Sequence, residues 1–135
     1  MRRRRVVTCF LRRDGHVLLL RRSGRVSTYR GKWAGISGAM EGDDPAAEAL
    51  REVREETGLD ARAVRLAAVS TPLEVRDAEL GVVWEVHPVL ADLLPGAVPR
   101  LDWEHTEARW AAPDELGSYD TVPGLAAALE AVLRA

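Results

Sequence analysis

Residues 44–59 read DPAAEALREVREETGL, and this stretch carries the start signal, the interior and the stop signal of one helix. Asp44 is a suitable N-cap residue, and Pro45 stands at the first helical position, where its missing N–H costs nothing. No other proline or glycine follows until Gly58, the residue type that most often adopts the left-handed conformation after a helix. The spacing therefore predicts a helix from Pro45 to Thr57.

Four glutamates of this helix share one face. At about 100° per residue, the carboxylates fall within about 100° of arc; they belong to Glu48, Glu52, Glu55 and Glu56. Like charges four residues apart repel and disfavour the helix, and neighbouring carboxylates raise each other's pKa. Spacing alone leaves two interpretations open. One is a solvated acidic face partly neutralised by arginines, and the other is a site for hard divalent ions such as Mg²⁺ or Mn²⁺.

The remaining chain mixes strands and helices without a regular βα repeat. Hydrophobic periodicity and turn residues predict strands at 6–11, 16–22, 33–37, 63–73 and 82–90, a short strand at 109–110 and a second helix from residue 121. Asp14-Gly15 is typical of a tight hairpin turn between the first two strands. Because no repeat, low-complexity tract or linker interrupts the pattern, we expect one α/β domain over residues 1–135, built on a mixed sheet.

The charge is segregated although the net charge is only −2. Residues 1–32 hold eleven Lys and Arg against one acid, and residues 33–135 hold eight against twenty. A basic segment that faces an acidic one suits a site for an anion and a metal, but the same arginines are equally compatible with a solvated strand face. The acidic overall balance, with few aromatic residues among the basic ones, argues against a nucleic-acid partner.

Cysteine content and hydropathy bear on the compartment. The single cysteine, Cys9, excludes an intramolecular disulfide bond, which fits a reducing compartment. No apolar run approaches the roughly 20 residues of a membrane span. The basic run at residues 1–5 leads into a predicted strand instead of the apolar core of a secretory signal. We therefore expect a cytoplasmic protein with no membrane partner.

The string REVREETGL at residues 51–59 resembles the second half of the Nudix signature, REUxEExGU, in which U is a bulky aliphatic residue. The resemblance extends upstream through LLLRR at residues 18–22 and Gly38, and downstream through WEHTEARW at residues 103–110. Two departures precede the helix. Asp43 stands where the signature has glutamate, and the loop from Gly38 to that acid is one residue shorter. The resemblance implies a Nudix-type α/β/α sandwich with a mixed β-sheet.

In Nudix hydrolases the helix glutamates bind divalent ions that bridge a diphosphate, and water attacks a phosphorus atom. By this resemblance, Glu52, Glu55 and Glu56 are metal ligands for Mg²⁺ or Mn²⁺. Glu52 is also the candidate general base, and Glu55 belongs to the catalytic set. The backbone carbonyl of Gly38 is expected to complete the coordination shell.

The resemblance also assigns roles outside the glutamate helix face. A further metal-binding acid is expected from a loop near the last strands, with Glu104 preferred to Glu107. Arg51 is counted as catalytic because it is expected to orient the glutamates. Arg22 and Lys32 are the candidate substrate-binding cations, since they follow the second strand and flank the next loop.

Other residues near these motifs carry weaker expectations. His105 is expected on a surface loop. A nucleobase could stack on one of four tryptophans, of which at least two are expected in the core: Trp33, Trp84, Trp103 and Trp110. Type I isopentenyl diphosphate isomerases share the fold but need a cysteine just after the loop tryptophan. Residues 34–37 contain none, which argues against isomerase chemistry.

The leading hypothesis is a divalent-metal-dependent hydrolase that cleaves the diphosphate bond of a nucleoside diphosphate linked to another moiety. Its partner is this small molecule, and a homodimer is compatible with the family but demanded by no residue here. The shortened loop and Asp43 motivate an alternative, a catalytically weak Nudix module that binds a nucleotide as a sensor. A structural domain with a solvated acidic face is the third interpretation.

Overall fold

The computed structural model describes all 135 residues as one eight-stranded mixed sheet flanked by helices. The strands are β1 (Arg2–Arg13), β2 (His16–Arg22), β3 (Trp33–Ala34), β4 (Ile36–Ala39), β5 (Val64–Val69), β6 (Leu73–Asp77), β7 (Val82–Leu93) and β8 (His105–Ala111). The helices are α1 (Pro45–Thr57) and α2 (Leu125–Arg134), with a 3₁₀ helix at Pro113–Ser118. The order is β3-β2-β1-β7-β5, with β4 beside β1, β6 beside β7 and β8 beside β2. Only the β1–β7 pair is parallel, which confirms the predicted mixed α/β architecture.

The glutamate helix has the boundaries that its capping residues predict. The Asp44 side chain accepts a hydrogen bond from the Ala46 N–H at 3.1 Å, and Pro45 is the first helical residue. At the other end, Gly58 adopts φ 76° and donates its N–H to the Arg54 carbonyl at 3.0 Å. A residue with a Cβ would be strained at this φ, so glycine determines where α1 ends.

Two apolar clusters lie on opposite faces of the sheet. Strand alternation sends Val7 and Cys9 of β1 towards α1, whereas Phe10 points towards α2. The central pair β1–β7 contributes to both clusters because its side chains are buried on both faces. The sheet with one helix on each face is the expected α/β/α sandwich.

Several predicted element boundaries are wrong for local reasons. β1 includes the N-terminal arginines because they pair in register with β7, although their side chains are exposed. The predicted strand 63–73 is two strands, β5 and β6, separated by a segment that contains Pro72, which lacks the N–H a ladder needs. The 33–37 strand is likewise split into β3 and β4, and the short strand at 109–110 is part of β8. α2 begins after Gly124, at φ 79°, and not at residue 121. No helix in the molecule has the length and apolarity that crossing a bilayer requires.

Candidate active site

Three of the four helix glutamates are buried. Glu48 and Glu52 are each 7% exposed and Glu56 is 2% exposed, whereas the Glu55 side chain is 57% exposed. α1 packs one side against β1 and β4, so the glutamates beside that apolar side lie under the edge of the sheet. Burying carboxylates without a compensating charge is costly. The positions contradict the interpretation of a solvated acidic face.

Glu52 lies directly against the backbone of β4. A Cβ atom added to Gly38 would overlap the Glu52 carboxylate, so only glycine leaves room for this side chain. Burial raises the pKa of Glu52, and the nearby charge of Glu55 adds to the rise. The Glu52 carboxylate therefore sits beside Gly38, the residue whose carbonyl the sequence proposes as a metal ligand.

Glu56 is the most deeply buried of the acids, and its Oε2 atom has no hydrogen-bond partner. Burial raises the pKa of Glu56 strongly, and the contact with Glu52 raises it further. Its other oxygen, Oε1, lies 3.5 Å from Nε2 of His105. A buried pair of acids with an unpartnered oxygen needs either a shared proton or a bound cation.

The predicted surface position of His105 is wrong. β8 begins at this residue, and the His105 side chain is buried between Glu56 and Asp102, with Nδ1 3.3 Å from Oδ1 of Asp102. Burial lowers the pKa of His105, and the Asp102 carboxylate opposes that effect. The predicted strand at 109–110 is too short: had it begun at residue 105, it would have included His105 as a strand residue.

Glu104 joins the glutamate cluster, and Glu107 does not. The Ser23 N–H donates to the Glu104 carbonyl at 2.7 Å, which ties the residue to the end of β2. Burial raises the pKa of Glu104 to about 7, with the Asp102 and Glu52 charges contributing. Glu107 instead forms an ion pair with Arg21 at 3.0 Å.

Arg51 connects the helix glutamates to the end of β4. Its Nη1 donates to Oε1 of Glu52 at 3.1 Å, and its Nη2 donates to the Ala39 carbonyl at 3.2 Å and to Glu48. Glu55 lies 3.6 Å from the same guanidinium. The planar group thus fixes the direction of several acceptors at once, which is the geometry that an orienting role requires.

Sequence analysis gave Glu48 no role, but this residue organises the shortened loop. Its Oε1 accepts hydrogen bonds from the backbone N–H groups of Glu41, at 3.0 Å, and Gly42. No sequence pattern indicates this role, because any nearby acceptor could satisfy the N–H groups of the loop. Asp43, by contrast, has a 97% exposed side chain that pairs with Arg5 at 2.9 Å, outside the carboxylate cluster.

A cleft of about 790 Å³ opens beside Gly38 and Glu104. Gly38, Glu104 and Arg22 line it near α1, and Trp84 lines it farther along β7. Arg22 is half-buried and donates to the Thr28 carbonyl at 2.9 Å. Burial lowers the pKa of Arg22, while the charges of Glu104 and Glu56 oppose that effect.

Lys32 and the other tryptophans lie elsewhere. The Lys32 ammonium pairs with Asp120 at 2.9 Å and does not line the cleft, so the geometry lends its predicted substrate contact no support. Trp33 packs edge-on against Tyr119, with ring centroids 5.3 Å apart. The two remaining tryptophans are exposed, with Trp103 beside Arg25 and Trp110 beside Arg13. Trp84 is thus the one tryptophan that lines the cleft and could stack on a nucleobase there.

The donor set fits a hard divalent cation. No group of three or more His, Cys, Asp or Glu side chains converges closely enough to hold a metal ion by itself. The unpartnered Glu56 Oε2 and the Glu52 carboxylate beside Gly38 are nevertheless oxygen donors, and the charge of Glu104 acts on both glutamates. Clustered carboxylate and carbonyl oxygens are the ligands that Mg²⁺ and Mn²⁺ prefer.

The fold is that of a Nudix pyrophosphohydrolase. The family model for the NUDIX domain matches residues 1–132, and the chain belongs to the Nudix family. Nudix hydrolases act on pyrophosphate bonds in nucleotide-like substrates and generally need divalent metal ions.

Individual relatives cover nearly the whole chain. The chain is 31% identical over 129 residues to a CTP pyrophosphohydrolase of Escherichia coli (strain K12), covering 95% of this chain and 90% of the relative. The crystal structure of a MutT NUDIX hydrolase from Burkholderia pseudomallei shares 26% identity with a TM-score of 0.77, covering 98% of this chain and 99% of that one. RenU, a Nudix hydrolase from M. smegmatis, shares 25% identity with a TM-score of 0.72, covering 96% and 81%.

Proposed function

We propose that this enzyme hydrolyses the diphosphate bond of a nucleoside diphosphate linked to another group, in a reaction that depends on Mg²⁺ or Mn²⁺. The observation that carries the proposal is the buried Glu52–Glu56 pair with its unpartnered oxygen. Glu52 lies against Gly38, and Gly38 and Glu104 line a cleft of suitable size. The name of the E. coli relative, a CTP pyrophosphohydrolase, supports a nucleotide as the substrate.

Glu52, Glu56 and Glu104 would hold the metal, with the Gly38 carbonyl completing the shell and the exposed Glu55 available from solvent. When bound, the divalent ion neutralises phosphate oxygens and acidifies an attacking water molecule. The protein's own residues position the metal-binding carboxylates. Burial under the sheet fixes the direction in which the carboxylates point, and the site keeps them in a partly water-excluded environment where charges act strongly.

The remaining roles follow from the contacts. Glu52 takes up the proton of the attacking water at its carboxylate, and Arg51 holds that carboxylate in place through Nη1. Arg22 contacts a phosphate oxygen, because it lines the cleft and its charge is balanced only by the acids of the cluster. Trp84 packs against the nucleoside or the group joined to it. We propose no substrate contact for Lys32.

The test is hydrolysis of nucleoside triphosphates, nucleotide sugars, ADP-ribose and dinucleoside polyphosphates, with and without Mg²⁺ or Mn²⁺. Glu52→Gln and Glu56→Gln should each lower kcat/KM by orders of magnitude. Glu130→Gln is the matched control, because it removes a helix glutamate that is exposed on α2. Absence of metal-dependent turnover on every substrate would contradict the proposal.

The shortened loop supports a second candidate, a nucleotide-binding module with weak catalysis. Asp43 lies outside the carboxylate cluster, so the site lacks the acid that the signature places there. On this alternative, nucleotide binding persists in Glu52→Gln, and the parent protein shows no detectable hydrolysis in the same panel. Cytoplasmic location, the single-domain boundary and a homodimer stay predictions from the sequence.

A further inference from the structure

The arginines at the start of β1 are sorted by strand alternation into two pairs. Arg3 and Arg5 point to the α1 face, where Arg3 pairs with Glu74 and with Glu85 at 3.4 Å, and Arg5 pairs with Asp43. Arg2 and Arg4 point to the opposite face, are exposed, and make no ion pair or side-chain hydrogen bond. Two of these four arginines are therefore neutralised and two are not.

The two unpaired arginines stand on the wall of the cleft. β1 pairs with β7 in parallel register, with Arg2 opposite Val82 and Arg4 opposite Trp84, so their side chains share one face. All four arginines border the cleft together with Trp84, and Arg2 and Arg4 are the two that lack an acidic partner. The α2 residues Leu125 and Ala128 add apolar lining. The far end of the cleft thus combines an aromatic surface with two free guanidinium groups.

Trp84 is held in place at this end. Its Nε1–H donates to the Tyr29 hydroxyl at 2.9 Å, and that hydroxyl donates to Oδ2 of Asp77 at 2.6 Å. The Asp77 carboxylate therefore accepts a hydrogen bond from Tyr29 and forms no ion pair with Arg2 or Arg4. Trp84 and Tyr29 form a fixed surface, while the arginine side chains are free to adapt to a ligand.

The distance from the carboxylates to this end follows from the register. Gly38 of β4 lies opposite Val7 of β1, three residues from Arg4 and five from Arg2. At about 3.3 Å per residue, the two arginines begin about 10 Å and about 16 Å along the strand from the Gly38 position. Although Val7 and the two arginines point to opposite faces of β1, Gly38, Arg2 and Arg4 all line the same cleft. A group attached to a diphosphate held beside Gly38 can therefore extend along the cleft towards Arg4 and Arg2.

We propose that Arg2 and Arg4 form a second anion subsite, which selects substrates that carry a phosphate or carboxylate on a group remote from the scissile diphosphate. Two neighbouring guanidinium groups without acids repel each other, and a bound anion relieves that repulsion with charge-assisted hydrogen bonds. The inference rests on the proposed function for the position of the diphosphate. It concerns different residues, since neither arginine contacts the carboxylate cluster.

The experiment compares substrates that differ by one remote anion. UDP-glucose and UDP-glucuronate differ by a carboxylate on the sugar, and ADP-ribose and 2′-phospho-ADP-ribose differ by one phosphate on a ribose. We expect the charged member of at least one pair to have a kcat/KM about tenfold higher, the effect of one partly solvated charge-assisted hydrogen bond. The pair in which the charged substrate is preferred shows whether the subsite binds a carboxylate or a phosphate.

Substitutions connect this preference to the arginines. In an Arg2→Ala/Arg4→Ala double variant, the ratio of charged to neutral substrate should fall to about one. Arg76→Ala is the matched control, because Arg76 is an exposed strand arginine on the other face, and it should keep the parent ratio. Equal rates for both members of both pairs in the parent, or a preference that survives the double variant, would overturn the inference.

A binding measurement separates this inference from the proposed function. Dissociation constants for the same pairs are measured by calorimetry with Ca²⁺ in place of Mg²⁺. If no pair is hydrolysed but the charged member binds tighter in an Arg4-dependent manner, the proposed function fails and the anion subsite stands. If binding does not discriminate either, the subsite is refuted as well.

Discussion

Glu56→Gln should stabilise the metal-free protein, although it removes a residue of the proposed metal site. The Glu56 carboxyl is 2% exposed and one of its oxygens has no partner, so the folded state disfavours its charged form. For each pH unit above the ordinary pKa, keeping the proton on Glu56 lowers the free energy of unfolding by about 1.4 kcal/mol. The largest possible loss at pH 8 is therefore about 5 kcal/mol. Water penetration and structural relaxation reduce this loss, so we expect Glu56→Gln to raise the free energy of unfolding by about 2–3 kcal/mol at pH 8.

The sign of the pH dependence follows from the raised pKa of Glu56. Between the ordinary pKa and the raised one, the folded state binds more protons than the unfolded state, so stability falls as pH rises. Glutamine carries no charge and can donate to the Glu52 carboxylate. The Tm difference between Glu56→Gln and the parent should therefore be near zero at about pH 4.5 and reach about 6–10 °C at pH 8 in EDTA.

Thermal unfolding measured by circular dichroism over this pH range tests the reasoning. Added Mg²⁺ should raise the Tm of the parent at pH 8 and should raise that of Glu56→Gln much less, because the metal stabilises only the form that binds it. Glu130→Gln serves as the control and should follow the parent under every condition. A Tm of Glu56→Gln below that of the parent at pH 8 in EDTA would refute the view that this carboxylate is buried at a cost.

Three further predictions follow from the contacts of the site. Gly38→Ala should lower kcat/KM at least about tenfold and weaken the Mg²⁺-induced rise in Tm, because the new Cβ displaces the Glu52 carboxylate; unchanged Mg²⁺ dependence would contradict this. Arg51→Lys should lower kcat more than it raises KM, since an ammonium cannot hold Glu48 and Glu52 together in one plane; steady-state kinetics measure the split. Asp43→Asn should change the free energy of unfolding by less than about 0.5 kcal/mol and leave the Mg²⁺ dependence intact, since its side chain is exposed outside the cluster; thermal unfolding with and without Mg²⁺ measures both.

The helix and its acidic face could be predicted from the sequence because their signals are local. Asp44, Pro45 and Gly58 act within one turn of α1, and the spacing of the glutamates follows from helix geometry alone. The depth at which each glutamate lies could not be predicted in this way. Burial of Glu56 and exposure of Glu55 depend on which side of α1 meets β1 and β4, a contact between distant parts of the chain.

The roles of His105 and Glu48 escaped prediction for two different physical reasons. His105 lies in the sheet because β8 pairs with β2 from Arg22 onwards, and no short-range pattern marks that register. Glu48 was visible as part of the acidic face, but its partners are backbone N–H groups of the preceding loop, which a residue pattern does not show. Side chains that accept hydrogen bonds from backbone N–H groups are hard to find in one sequence, because many residue types carry a suitable acceptor.

The distribution of cations around the carboxylates links metal binding to substrate binding. Arg51 neutralises the side of the cluster next to the loop, where it contacts Glu48 and Glu52. Arg22, which is half-buried and lines the cleft, is the cation on which the charges of Glu104 and Glu56 act. A diphosphate adds further negative charge there, so its entry without additional cations would be strongly unfavourable. We therefore expect substrate affinity to fall sharply when divalent ions are removed, and to fall more than Arg22→Ala alone lowers it in their presence.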